Sequence, residues 1–123
     1  MTSKSQHGNF GEDIAAAHLA QHGYRVIDRN FRTRFGEIDL IAVNERYLLF
    51  VEVKTRAKNA RVSGLEAVTP AKQAKLRAAA EEYLQRMATH DDMAEKWPRF
   101  DVIAIETAGD GQVMSIQWVE NAF

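Results

Sequence analysis

Apolar positions along this chain recur first at a helical period and then at a strand period. Glu12, Ala15, Ala16 and Leu19 follow the i, i+3, i+4, i+7 spacing of one helical face, with Phe10, Ile14 and Ala17 as a neighbouring stripe. The pattern predicts a helix from about Asn9, which can cap it, with Glu12 and Asp13 in the first turn where the helix dipole favours negative charge. Residues 1–8 are polar and predict a disordered tail ahead of a single domain over residues 9–123. Gly23 predicts a left-handed stop.

The period then switches to two. Tyr24 to Arg29, Gly36 to Val43 and Tyr47 to Lys54 predict three strands, with Asn30 to Phe35 as a basic connector. The tight turn Asn44-Glu45-Arg46 makes the second and third strands antiparallel. A polar loop from Thr55 to Val68 leads to Thr69-Pro70, a cap residue followed by proline at the first helical position. Leu76, Ala79, Ala80, Tyr83, Leu84 and Met87 continue that helix to about residue 88. After a polar link, Phe100 to Ile105 and Val113 to Val119 predict two more strands, joined by Ala108-Gly109-Asp110-Gly111. The order α-β-β-β-α-β-β predicts an α/β fold, a mixed sheet flanked by helices.

Composition narrows the setting. The chain has 123 residues, 46% of them hydrophobic, enough for one domain with a two-layer core. It has no cysteine, which excludes disulfides and thiolate metal sites and points to a reducing, cytoplasmic location. No secretory leader and no membrane-length apolar run occurs, so no membrane partner is expected. Net charge is −1, yet Arg25 to Arg61 holds nine Lys/Arg against five Asp/Glu, and Val62 to Phe123 holds six against ten. A basic first half that contains an acidic cluster suggests a polyanion surface around a metal site.

That cluster lies on the second and third strands. Leu48, Leu49, Phe50, Val51 and Val53 read as a strand covered on both faces, and Glu52 interrupts them. A carboxylate there needs a partner, because burying it alone is costly. Lys54 is two residues on, hence on the same face and roughly 6–7 Å away. Glu37 and Asp39 are likewise two apart, and antiparallel pairing lets Asp39 approach Glu52. Two such charges repel by about 4 kcal/mol at about 4 Å in an effective dielectric near ~20. Lys54 or a divalent cation would hold them, and oxygen-only donors favour Mg²⁺ or Mn²⁺. Glu12, on the face of Ala16 and Leu19, aims a further acid at the sheet, as an outer ligand or water-orienting group would. The plain structural alternative is an intrastrand Glu52–Lys54 ion pair beside an Asp39 that caps a turn.

At these residues the sequence resembles the PD-(D/E)XK nuclease superfamily: Asp39 on one strand, Glu52-Val53-Lys54 on the next, and Glu12 on the preceding helix. More closely, GEIDLIA, FVEVKTR, the helix start Thr69-Pro70-Ala71-Lys72 and RFDVIAI are similar to the YraN-type family of uncharacterised bacterial proteins, which are predicted endonucleases akin to Holliday-junction resolvases. Ile38 stands where the superfamily name has proline, at a position that carries no ligand. The resemblance implies a restriction-endonuclease-like three-layer core and Mg²⁺-dependent hydrolysis of DNA, branched or Holliday-junction DNA included. In it Asp39, Glu52 and the Val53 carbonyl would hold the metal, Lys54 would serve the attacking water or the phosphate, and Glu12 the metal's water shell. Arg32, Arg34, Arg56, Lys58, Arg61 and Lys72 would contact nucleic acid. Resolvase-like activity would further imply a homodimer, for which an edge strand near the C-terminus is a candidate surface. A different class, a nucleic-acid-binding module of the same fold without robust catalysis that works in DNA-processing complexes, is the alternative. His18 and His22 have i, i+4 spacing, but Leu19 stands where a zinc protease motif needs glutamate.

Overall fold

The computed structural model describes residues 3–57, 68–87 and 95–123, with backbone alone for 3–9. Its elements are α1 (Ser3–Gln21), β1 (Arg25–Arg32), β2 (Glu37–Val43), β3 (Tyr47–Ala57), α2 (Pro70–Arg86), β4 (Trp97–Thr107) and β5 (Val113–Val119). The five strands form one sheet in the order β1-β2-β3-β4-β5. All neighbouring pairs are antiparallel except β3 and β4, which run parallel. This is the α/β architecture and element order expected from the sequence.

The helices cover opposite faces of the sheet. On one face Ala15, Ala16 and Leu19 of α1 pack on Leu40, Ala42, Leu49, Val51, Ile103 and Ile105. On the other, Leu76, Ala79, Ala80 and Tyr83 of α2 pack on Ile38, Ile41, Val43, Leu48, Phe50 and Val102. β3 is central and feeds both cores, which is why its apolar run does not alternate. Thr69 caps α2, its hydroxyl accepting from the Lys72 amide, and Pro70 follows as predicted. Gly23 ends α1 with a φ of 87°.

Some boundaries differ from the sequence reading. α1 begins at Ser3, so Asn9 lies within the helix and does not cap it. No proline stops the helix in that stretch, and each added residue gains a backbone bond. β3 and β4 pair over eleven consecutive residues, Tyr47↔Trp97 to Ala57↔Thr107, and so outrun their apolar stretches. Main-chain pairing carries them past the apolar residues on which the boundaries were drawn. The first three residues of the connector expected over Asn30 to Phe35 are the end of β1, with Phe31 opposite Ile38 and Arg32 opposite Glu37. Asn30 enters it with a φ of 53°, a conformation asparagine tolerates better than most residues.

The start of β4 is tied down by a buried polar network. Asp101 is fully buried. It accepts two bonds from Arg99, from Nε and Nη2, each at 2.9 Å. It also accepts from Trp118 Nε1 at 2.8 Å and from the Asn121 amide at 3.0 Å. Arg99 reaches on to Glu120 at 3.0 Å, and its guanidinium lies 4.6 Å from the centre of the Tyr47 ring. One carboxylate thus joins β4, β5 and the C-terminal turn.

Candidate active site

The β2–β3 ladder ends at Leu40↔Val51. Beyond it the next facing residues, Asp39 and Glu52, are side chains in contact in place of ladder partners. The Val53 amide donates to Asp39 Oδ2 at 2.8 Å, so a carboxylate fills the place of a strand carbonyl. β3 stays fixed on its other side, where Glu52, Val53 and Lys54 pair with Val102, Ile103 and Ala104. Asp39 therefore sits in an opening between two strands, one of which is rigidly held.

Four further side chains converge on this opening. The Glu52 side chain is 3% exposed, and Lys54 Nζ and Lys72 Nζ stand 3.7 Å and 2.9 Å from its Oε2. Lys72 comes from the first turn of α2, brought there by the Thr69-Pro70 start. Glu12, buried on α1, accepts from Asn30 Nδ2 at 3.0 Å through its Oε2. The left-handed Asn30 thereby positions an acid from the opposite face of the sheet. A close helix approach makes this feasible: a Cβ on Gly11 would run into the Thr55 hydroxyl, so a larger residue there would make Thr55 turn aside.

The charges are uneven. Burial, a hydrogen bond to Glu52 and the Glu52 charge push the Asp39 carboxyl up to about 9. Burial opposes the ionisation of Glu52, but the bond from Asp39, Lys72 and the charge of Lys54 outweigh it and hold its pKa below the ordinary value. At neutral pH the pair thus keeps one proton, on Asp39, and one negative charge, on Glu52. Burial lowers the Lys54 pKa against the pull of Glu52, whereas the Glu52 contact raises that of Lys72.

Among the described residues, Glu12 Oε1 is a buried carboxylate oxygen with no partner, and Glu52 Oε2 is held by the two lysines alone. Buried oxygens of this kind suit a hard cation, as does the all-oxygen donor set. Their present spacing does not enclose one: among the described residues no three His or carboxylate side chains form a ready metal cage. Lys72 occupies Glu52 Oε2, and a proton occupies Asp39. The donors fit a divalent ion in kind, and loading it requires both to give way. Expelling the proton has a measurable sign. Below about pH 9 each bound cation should release up to one proton, and affinity should climb with pH, by at most about tenfold per unit. Calorimetry of Mn²⁺ binding in buffers of different ionisation enthalpy reads this directly; heats independent of the buffer would show that Asp39 does not exchange its proton for metal.

The basic residues expected around the cluster fall in different places. Lys72 is in it. Arg32 is bound to Glu37 at 2.6 Å. Arg34 lies over the neighbouring Phe35 ring at 4.9 Å, by a groove that Glu81 and Glu82 also line. Arg56 bonds the Thr55 carbonyl at 3.1 Å. Lys58 and Arg61 lie outside the described residues. Asn30 and Gly11 were not singled out from the sequence; their roles depend on a positive φ and an interhelix-to-strand distance that no local spacing encodes. His18 and His22 form an aromatic group with Trp118, their ring centres 5.7 Å and 5.3 Å from its own, remote in kind from the oxygen cluster.

No helix among the described residues is long and apolar enough to cross a membrane. Comparison with known proteins gives one family throughout. A UPF0102 protein of Pelobacter propionicus is 47% identical over 94% of this chain and 81% of its own length. One from Rhodococcus opacus is 44% identical over 94% of both chains. One from Chlorobium phaeobacteroides is 52% identical over 77% of this chain and 72% of its own. The model of the family matches residues 11–105, a span that holds Glu12, Asp39, Glu52, Lys54, Lys72 and Asp101. The chain belongs to the uncharacterised protein family UPF0102.

Proposed function

We propose that this protein is a metal-dependent endonuclease that hydrolyses phosphodiester bonds in DNA, with branched DNA such as Holliday junctions among its substrates. The reading rests on one observation above the others: three acids and two lysines from four separate elements converge where the β2–β3 ladder opens. A local ion pair would not need Glu12 or Asp39. The resemblance to the PD-(D/E)XK pattern fits the same positions.

Asp39, Glu52 and the Val53 carbonyl would hold Mg²⁺ or Mn²⁺. When bound, the ion supplies Lewis acidity toward a phosphate oxygen and makes water more acidic. Glu12, held by Asn30, would orient water in the opening. Lys54, whose pKa burial lowers, would hold the attacking water or neutralise charge that gathers on the phosphate. Lys72, freed from Glu52 when the cation arrives, would turn to the substrate phosphate. Arg32, Arg34, Arg56, Lys58 and Arg61 would grip the backbone; binding through them would weaken with salt.

A binding module of the same fold, without robust catalysis, is the second reading. One observation favours it: the resting site is closed by Lys72 and by the proton on Asp39. Linear, branched and single-stranded DNA and RNA, each incubated with the purified protein and Mn²⁺, separate the two. Cleavage of at least one is expected. Binding of DNA with no cleavage, together with no Mn²⁺ binding, would leave the module and remove the enzyme.

A further inference from the structure

α1 ends on two histidines. His18 lies in its last turn, and His22 follows Gln21 one turn further on. Both reach solvent, His22 more than His18. The backbone beneath them is fixed. The carbonyl of Leu19, a core residue, accepts from the His22 amide and from the Tyr24 amide, each at 3.0 Å, around the left-handed Gly23. The His22 ring is fixed as well, its Nδ1 standing 2.8 Å from the His18 carbonyl oxygen. A carbonyl can only accept, so Nδ1 carries the proton and the neutral ring keeps its lone pair on Nε2. A ring N–H held by a backbone carbonyl is the usual support of a metal-binding histidine.

The spacing of the rings suits one ion shared between them. Their centres are 4.5 Å apart. A cation about 2.1 Å from one nitrogen of each ring lies about 3.2 Å from either ring centre, and ligands about 90° apart then set the centres about 4.6 Å from one another. Burial and the nearby His22 both lower the pKa of His18, so its ring too is neutral at neutral pH. The C-terminus of a helix is the negative end of its dipole and favours a cation.

We infer that His18 and His22 form a metal site apart from the oxygen cluster, which chelates a borderline divalent ion such as Ni²⁺ or Cu²⁺ through two imidazole nitrogens. Imidazole suits these ions better than it suits Mg²⁺ or Mn²⁺, and both take ligands at right angles. Among the described residues no third histidine or carboxylate joins the pair, so water fills the ion's other positions. The oxygen cluster, proposed for Mg²⁺ or Mn²⁺, is a separate place: Glu12 lies six residues, about 9 Å of helix, before His18. The two sites divide divalent ions by hardness. Trp118 stands within reach of an ion held by the pair, its ring centre 5.7 Å from that of His18 and 5.3 Å from that of His22.

The test does not depend on nuclease activity. The full chain carrying Trp97→Phe, which leaves Trp118 as its one indole, is titrated with Ni²⁺ in excess Mg²⁺. Trp97 is 70% exposed, so its loss leaves the fold intact. Ni²⁺ quenches indole fluorescence at short range, and the excess Mg²⁺ keeps the carboxylates of the oxygen cluster out of the reading. Saturable quenching at micromolar Ni²⁺, reversed by a chelator, is expected. His18→Gln and His22→Gln should each raise the concentration needed by about tenfold or more, because each leaves one imidazole without its chelating partner. Circular dichroism checks the fold. His18→Gln is the decisive variant, since it keeps the carbonyl that orients His22. Absence of quenching at micromolar Ni²⁺ overturns the inference. So does either variant binding as its parent does, which would place the ion elsewhere, at His7 or His90 for example.

Discussion

Glu52→Ala and Lys54→Ala should each reduce Mn²⁺-dependent cleavage by about a thousandfold or more while leaving the protein folded. The two losses have different origins. Glu52 is the ionised member of the carboxyl pair, so its removal takes away the main donor proposed for the cation and leaves Lys54 and Lys72 facing each other without the charge that draws them in. Lys54→Ala keeps Asp39 and Glu52, the donors proposed for the cation. Mn²⁺ binding should therefore vanish in Glu52→Ala and survive in Lys54→Ala. Single-turnover cleavage beside calorimetry reads both. Activity that persists in both variants would put the chemistry at another site or in a contaminant. Loss of metal binding in Lys54→Ala as well would mean that the lysine supports the site's shape and not its chemistry. Glu52→Gln, nearly the same shape, distinguishes a lost charge from a lost fold.

The largest effect on stability should come from Asp101→Ala, far from that opening in the network of β4. Four donors converge on this fully buried carboxylate, two of them from Arg99, whose side chain is only 10% exposed. Truncation leaves a guanidinium nearly buried with only Glu120 for charge, and it strands the Trp118 and Asn121 N–H groups. Breaking one side of a buried pair costs about 3–5 kcal/mol. For a chain of this size that lowers the melting temperature by about 10–20 °C. Urea unfolding of the variant measures it; a loss under about 1 kcal/mol would show that water or Glu120 takes over the role. Asp101→Asn, which keeps an acceptor for Trp118 and Asn121, should fall between the two.

What the sequence discloses of this fold is what local patterns can carry. The helical face of Ala15, Ala16 and Leu19, the unbroken apolar run of β3, and Thr69-Pro70 at the head of α2 each follow from a spacing or a cap. The ends of elements are less legible, because they are set by partners. β4 extends to Trp97 because eleven residues of β3 are there to pair with it, and Asn30 joins β1 because Phe31 and Arg32 find Ile38 and Glu37. The site divides the same way. A two-residue spacing places Glu52 and Lys54 on one side of a strand, and an antiparallel turn sets Asp39 opposite. The contact of Lys72 with Glu52, the hold of Asn30 on Glu12 and the bonds of Trp118 and Asn121 to Asp101 join residues far apart in the chain. Asp101 has no local mark at all; in the sequence it is one acid in a strand, beside Arg99.

The opening of the ladder also gives the molecule a reporter of its own. The Val53 amide, which in an ordinary strand would look at a neighbour's carbonyl, looks at the Asp39 carboxyl. Its proton resonance thus listens to the one group in the site that must change its ionisation. In a ¹H–¹⁵N spectrum the Val53 cross-peak will move as Asp39 gives up its proton, whether to alkali or to an arriving ion, and a single backbone signal can follow the site's charging without any substrate.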